Sequence, residues 1–294
     1  MEQFRPLMLG IVGDSASGKT LLTRGVVRRL GRRGVTPICL DDYHRYSRAE
    51  RASLGLTALD PQANDMALMA THLAELRAGG TIHKPIYDHR TGTLREPEVV
   101  VATGLVIVYG LLTLTPPAAR ELFDLTIYLD PSEDLQRSWR MQRDVALRGY
   151  TPASVLAAQA ARADDAARFV YAQRGRADMV VRFTSANEQA HSALDFRLTL
   201  RRSLPRLALD LLADGAVRML RDAIDDDGLI ADQLTIPART PPAELAALRA
   251  QLYTRSRARF PDLIELNHNG SDEISTGLAF VHELVVAYLI GAAG

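Results

Sequence analysis

Short apolar runs and amphipathic stretches alternate along the first two-thirds of the chain. Leu7–Val12, Val35–Leu40, Leu105–Val108, Leu125–Leu129 and Met179–Phe183 are each almost continuously apolar, which predicts strands buried on both faces. Between them, apolar residues recur at helical spacing over Thr20–Leu30 and Asn64–Arg77, and glycines at 31, 34, 79 and 80 predict where those helices stop. Two more helices are predicted before the last strand. One runs from Ser132, an N-cap with Glu133 and Asp134 behind it, to about Arg148, and the other from Pro152 to Gln173. Strands that alternate with helices predict an α/β fold built on a doubly wound, mostly parallel sheet.

The pattern changes after residue 183. Asp195–Leu200 predicts an edge strand, and segments 208–225, 242–258 and 276–292 carry helical spacing. The expected organisation is therefore a domain over 1–183 and a helical C-terminal extension over 184–294 packed on it. Thr276–Ala293 is the most apolar helix candidate, but His282 and Glu283 interrupt it, and it is too short and too polar to span a bilayer.

Composition narrows the partners. The chain has 294 residues, 35 basic and 35 acidic, so no basic footprint points to nucleic acid or to an anionic membrane. Its one cysteine, Cys39, allows no internal disulfide and fits a reducing compartment. A glycine-rich loop within the first dozen or so residues leaves no room for a signal peptide, so a cytoplasmic protein with a small-molecule or protein partner is expected.

That loop is Gly13, Asp14, Ser15, Ala16, Ser17, Gly18, Lys19 and Thr20, a G-x-x-x-x-G-K-T motif between a predicted strand and a predicted helix. Glycines let backbone N–H groups turn inward around phosphate oxygens, and the helix N-terminus adds partial positive charge. Of the 35 basic residues only Lys19 and Lys84 are lysines. A compact ammonium fits inside such a loop where a planar guanidinium does not, so Lys19 is assigned to the β/γ-phosphates of ATP and the Thr20 hydroxyl to Mg²⁺.

Three other stretches bear on the acceptor. "CLDDYHRYSRAER" (Cys39–Arg51) ends the second strand, so Asp41 and Asp42 face the crevice where ligands of such sheets bind. Either carboxylate could take a proton from an attacking hydroxyl, or the pair could simply cap the next segment. Tyr43, His44, Arg48 and Arg51 beside them suit a phosphorylated or polyhydroxylated acceptor. "KPIYDHRTGT" (Lys84–Thr93) is predicted to be a loop with Tyr87, Asp88 and His89 at its middle. Arg137, Arg140 and Arg143 lie three apart after "IYLDPSED", either as a lid over the phosphates or as a solvated face; Asp144 and Arg148 follow in "QRDVALRGYT".

Taken together, GDSASGKT, ICLDDYH, "TALDPQANDMALM" (Thr57–Met69), KPIYDHRTG, IYLD, QRD-x-x-x-RG and "NHNGSDEISTGL" near the end resemble the phosphoribulokinase/uridine kinase family, most closely its plant and cyanobacterial phosphoribulokinases. The resemblance implies a P-loop NTPase fold of the nucleoside-monophosphate-kinase-like kind and ATP- and Mg²⁺-dependent phosphorylation of ribulose 5-phosphate. Uridine kinase activity and a catalytically impaired regulatory protein are the alternatives. It also implies a homodimer. By similarity Asp41 matches the catalytic base; Asp42 beside it is assigned from its position as a secondary Mg²⁺-binding or orienting group. His44, Arg48, Arg51, Lys84, Tyr87 and His89 match the sugar-phosphate side, and Arg143, Asp144 and Arg148 the lid. The chain departs from the pattern twice. Ser17 stands where plant-type relatives carry a redox cysteine, and Tyr109 stands where relatives place an acidic Mg²⁺ ligand, with Leu112 in place of a frequent histidine.

Overall fold

A computed structural model describes residues 5–31, 34–186, 193–206, 209–259 and 275–292, leaving out the side chains of 117–118, 147–148, 255–259 and 292. β1 (Leu7–Val12) lies between β5 (Leu105–Gly110) and β6 (Leu125–Pro131) and is parallel to both. With both edges paired and both faces covered it has no solvent side, which is why its sequence is unbroken by polar residues. β2 (Val35–Cys39) pairs outside β5, and β7 (Met179–Ser185) outside β6, again parallel. Every strand predicted in the first 183 residues is present.

Side chains of β1 alternate between two cores. Leu9 and Ile11 meet Leu22 and Val26 of α1 (Lys19–Leu30), while Met8 and Val12 meet Met69, Leu73 and Leu76 on the other face. Those three belong to α3 (Met66–Arg77), which follows the short α2 (Arg48–Ser53) and is capped by Asp65 accepting from Leu68 N–H at 3.1 Å.

Lys84–Thr93 is not simply a loop. It joins β3 (Thr81–Asp88) to β4 (Thr93–Val101), a two-stranded antiparallel hairpin beside the main sheet. β4 is exposed almost throughout, so no apolar alternation marks it in the sequence.

Beyond α4 (Pro117–Arg120) and α5 (Glu133–Arg148), the helix predicted over Pro152–Gln173 is broken. It becomes α6 (Pro152–Ala160), a turn of α7 (Ala163–Asp165), a π-helical turn at Ala166–Val170 and a 3-10 stretch at Tyr171–Arg176. Tertiary contacts override helix propensity here. Thr57 Oγ1 donates to Asp165 Oδ2 at 2.6 Å, Ala166 and Val170 pack with Leu59 and Leu111, and Gln173 bridges Leu111 O and Leu114 N.

The C-terminal part adds helices, as expected, and also strands. β8 (Leu194–Arg201) is interior rather than an edge, because β10 (Ile230–Ile236) pairs with its outer side and β9 (Arg218–Ile224) with β10, all antiparallel. The eight-stranded order is β2-β5-β1-β6-β7-β8-β10-β9. Segment 208–225 thus contains a strand, not the helix its spacing predicts. β9 has exposed Leu220 and Ile224 and a register shift opposite Ala231/Gln233, which erase the period of two. α8 (Pro242–Arg259) and α9 (Thr276–Ala292) form as predicted, and no described helix is long and apolar enough to cross a membrane. Most of "NHNGSDEISTGL" lies outside the described residues.

α9 packs against α8 and α1, which accounts for the polar pair inside an apolar helix. Arg249 grips Glu283 with two bonds of 2.6 and 2.7 Å, and Arg29 donates to His282 Nδ1 at 3.0 Å. Burial first, and Arg29 next, lower the His282 pKa to about 3. The imidazole lies so close to Gly25 that a Cβ there would collide with the ring. Gly25→Ala should therefore destabilise the chain by about 1–3 kcal/mol in urea unfolding, against the helix-propensity gain of about 1 kcal/mol. In a His282→Ala background the sign should reverse; stabilisation in the otherwise unchanged chain would mean that the two helices are not in contact there.

Candidate active site

The phosphate loop is built by the abrupt end of β1. A Cβ on Gly13 would sit 2.6 Å from Ser17 Oγ and 2.8 Å from Leu129 O, so only glycine leaves the turn open. Gly18 (φ 92°) and Ala16 (φ 62°) adopt the left-handed conformation that curls the loop ahead of α1. Lys19 is 8% exposed, and its Nζ donates to Gly13 O at 2.8 Å and Asp14 O at 2.9 Å. Burial pulls its pKa below the ordinary lysine value, while Asp41 and Asp14 pull the other way. No acidic residue occupies the first turn of α1, so the helix itself places no negative charge at its positive end. Small residues, a buried ammonium and a helix terminus of this kind fit a phosphate group.

Over this loop lies the helix read as a lid. Arg143 donates to Ser15 Oγ at 2.9 Å and forks onto Asp144 at 2.8 and 3.2 Å. Arg140, 4% exposed, donates to Asp14 Oδ2 at 3.0 Å and Ser15 O at 3.1 Å, and Gln136 reaches the same two groups. Arg162 pairs with Asp14 Oδ1. Burial opposes ionisation of Asp14, but Arg162 and Arg140 hold its pKa below the usual carboxylate range. Arg137 of the same helix is exposed, and the Arg148 side chain lies outside the described residues. Sequence reasoning missed Gln136 and Arg162. Arg162 sits in an alanine-rich stretch with no distinguishing spacing.

Asp41 and Asp42 share the 3-10 turn that ends β2. Asp41 Oδ1 accepts from Leu111 N–H at 2.8 Å. Asp42 Oδ2 accepts from Lys84 Nζ at 2.6 Å and its Oδ1 from Tyr87 N–H at 3.2 Å, which ties the β3–β4 hairpin to the sheet. Lys84 is 4% exposed and also donates to Glu98 at 3.1 Å. Burial works against its charge, but Asp42 and Glu98 outweigh that and raise its pKa.

Around this pair His44 stands edge-on to Tyr87 at 4.6 Å, and Tyr87 edge-on to His89 at 5.0 Å. Arg51 lies over the Tyr87 ring at 5.2 Å and donates to its hydroxyl at 3.1 Å, while Arg48 donates to His89 O at 2.6 Å. Tyr43 instead belongs to the core, its hydroxyl 3.0 Å from His72 Nδ1. Asn64 donates its amide to Ala58 O and Asp60 O, so its Oδ1 is the acceptor and His44 Nδ1 carries the proton across the 2.7 Å contact. His44 Nε2 is left as a lone-pair acceptor.

Tyr109 is on the α1 side of β5 and shares a groove with Thr20. Burial first, then Cys39, Asp42 and Asp41, raise its pKa, so the phenol is protonated at neutral pH. Burial and the same aspartates push the Cys39 thiol up as well. Among the described residues, no cluster of three or more His, Cys, Asp or Glu side chains could hold a metal ion by itself.

A sequence profile of the phosphoribulokinase/uridine kinase family matches residues 8–190. The chain belongs to that family. It is 41% identical to a phosphoribulokinase of Synechocystis sp. over 177 residues, 60% of this chain and 53% of that protein. It is 35% identical to the uridine kinase of Alkaliphilus metalliredigens over 159 residues, 52% of this chain and 74% of that one. The chloroplastic phosphoribulokinase of Triticum aestivum is 35% identical over 194 residues, 60% of this chain and 48% of that protein. The alignments thus span about half the length of these two phosphoribulokinases. The fold also matches the solved structure of phosphoribulokinase from Rhodobacter spheroides, with a TM-score of 0.60 at 18% identity over 86% of this chain and 98% of that one.

Burial first and Arg51 next lower the His44 pKa from 6.5 to about 4. The folded state therefore favours the neutral ring, and stability from this site is whole above pH 6.5 and lost as pH falls toward 4. Between pH 7 and about 4.5 the chain should lose about 2 kcal/mol more in denaturant unfolding than His44→Gln, whose amide can still donate to Asn64. Equal losses would mean that the ring is protonated in the fold.

Proposed function

We propose that the chain is an ATP-dependent kinase that transfers the γ-phosphoryl group to a hydroxyl of ribulose 5-phosphate, giving ribulose 1,5-bisphosphate. The position of Asp41 carries the proposal: its charge acts on Lys19 of the phosphate loop and on His44 of the acceptor side, and Leu111 N–H fixes one oxygen. In this role Asp41 takes the proton of the attacking hydroxyl as the new O–P bond forms and the bond to ADP breaks. Lys19 neutralises the β/γ-phosphates. Arg143, with Arg140 and Arg162, stands ready to exchange Ser15 and Asp14 for phosphoryl oxygens, and Asp144 holds Arg143 in place.

Arg48, Arg51 and His89 offer charge and hydrogen bonds to the sugar phosphate. His44 Nε2 accepts from a sugar hydroxyl, and Asp42 with Lys84 and Tyr87 orients the hairpin that carries them. Mg²⁺ bound with the triphosphate would neutralise charge on the phosphoryl oxygens, with the Thr20 hydroxyl as the protein ligand and Asp42 in support. Residues 1–183 do this work in the proposal and 184–294 brace α1 through α9; a homodimer belongs to the same proposal.

Asp41→Asn should lower kcat by about 10² or more while leaving ATP binding near normal. Lys19→Ala should remove most turnover. In this proposal a neutral Tyr109, in the groove it shares with Thr20, weakens charge stabilisation, so Tyr109→Glu should raise kcat about tenfold or more and lower the Mg²⁺ requirement. Coupled ADP release tests the acceptor. Arg48→Ala and Arg51→Ala should raise KM for ribulose 5-phosphate and not KM for ATP. Uridine is the second candidate acceptor, favoured by the larger share of a uridine kinase that the chain covers, 74%. Turnover with uridine alone would establish it. ATP binding without turnover on any acceptor, in the wild type and in Tyr109→Glu alike, would make the chain a regulatory nucleotide-binding protein.

A further inference from the structure

A groove of about 870 Å³ runs along α1 from Thr20 to Gly31, floored by Val35 and Pro37 of β2 and Tyr109 of β5. Eleven helical residues make it about 16 Å long. Only Thr20, at one end, belongs to the phosphate loop. Two features along its wall have no role in the proposed phosphoryl transfer. Arg24 and Arg28 are exposed and four residues apart, so their guanidinium groups rise from one face of the helix. Between Thr20 and that pair is Thr23, which also lines the groove. It is 4% exposed, and its Oγ1 has no hydrogen-bond partner among the described residues. That oxygen is closed to the groove as it stands, but a helical threonine has two χ1 rotamers, and the one that turns Oγ1 into the groove would let a ligand oxygen recover the cost of the unpaired hydroxyl.

We propose that this groove is a second binding site, taking a small organic anion with a flat apolar body. The anionic head sits between Arg24 and Arg28, as guanidinium groups pair with carboxylate, sulfonate or phosphate oxygens. Once rotated into the groove, Thr23 Oγ1 donates to the ligand, and the body lies along Val35, Pro37 and the ring of Tyr109. Apolar contact gives affinity and the two arginines select for charge. Thr23, Arg24 and Arg28, which would select the anion, have no part in the proposed phosphoryl transfer, while Thr20 and Tyr109 border both sites.

Fluorescence titration of the full chain tests this with two probes that share one body: 8-anilinonaphthalene-1-sulfonate, which is anionic, and N-phenyl-1-naphthylamine, which is neutral. The anion should bind saturably and at least about tenfold more tightly than the neutral probe. The Arg24→Ala/Arg28→Ala double variant should lose that margin, and Thr23→Val should weaken the anion several-fold while leaving thermal stability equal or higher, because it removes an unpaired hydroxyl. Lys19→Ala should leave the titration unchanged. Equal binding of the two probes, or an unchanged titration in the double variant, would overturn the proposal. So would loss of binding in Lys19→Ala, which would put the probe in the phosphate loop. A signal that declines as protein concentration rises would also overturn it, because another copy of the chain would then cover the groove.

Discussion

A carboxylate buried as deeply as Asp14 cannot stand alone, and the active-site half of the fold is arranged around its partners. Arg140 reaches it at 3.0 Å from α5, Gln136 at 3.1 Å from the same helix, and Arg162 from the chain beyond α6. Removing one partner of such a buried pair typically costs about 3–5 kcal/mol, so the cluster fixes the spacing between loop and lid. It also stations three guanidinium groups, those of Arg140, Arg143 and Arg162, at the mouth of the phosphate cradle. In the proposed reaction the incoming triphosphate competes with Asp14 and Ser15 for these same groups, so lid contacts with the loop and with the nucleotide are alternatives.

The acceptor side repeats the logic with a different cation. Asp42 and Glu98 share the buried ammonium of Lys84, and Asp42 also takes the Tyr87 N–H, so one carboxylate docks the β3–β4 hairpin and sets Tyr87 and His89 beside His44. Asp41, its neighbour in the same 3-10 turn, is held instead by the Leu111 N–H just beyond β5. The backing for the phosphate-loop side comes from the other end of the chain, where α9 buries Phe280, Val281 and Leu284 in the core shared with Leu22 and Val26 of α1.

How much of this was legible in the sequence depended on how local each signal is. Leu7–Val12 and the glycine-rich turn after it are contiguous, so both strand and cradle could be read directly. The scarcity of lysine pointed to positions 19 and 84, and both ammonium groups are nearly buried. What Lys84 touches could not be read, since Asp42 lies 42 residues away. β4 and β9 escaped because strands this exposed carry no apolar alternation. The break in the helix over 152–173 comes from Asp165 and Gln173 bonding to distant residues, which no propensity records. Arg162 looks like any other arginine until the fold brings it to Asp14.

The central claim is that the phosphate loop and the acceptor pocket serve one transfer at Asp41. Identifying the product by ³¹P NMR tests it most directly, with Mg²⁺, ATP, and ribulose 5-phosphate or uridine incubated with the full chain. The account predicts ADP together with a sugar bisphosphate from ribulose 5-phosphate, and neither when Asp41 is replaced by asparagine. A new phosphate ester formed from uridine alone, or bound ATP left intact with both acceptors, would contradict it.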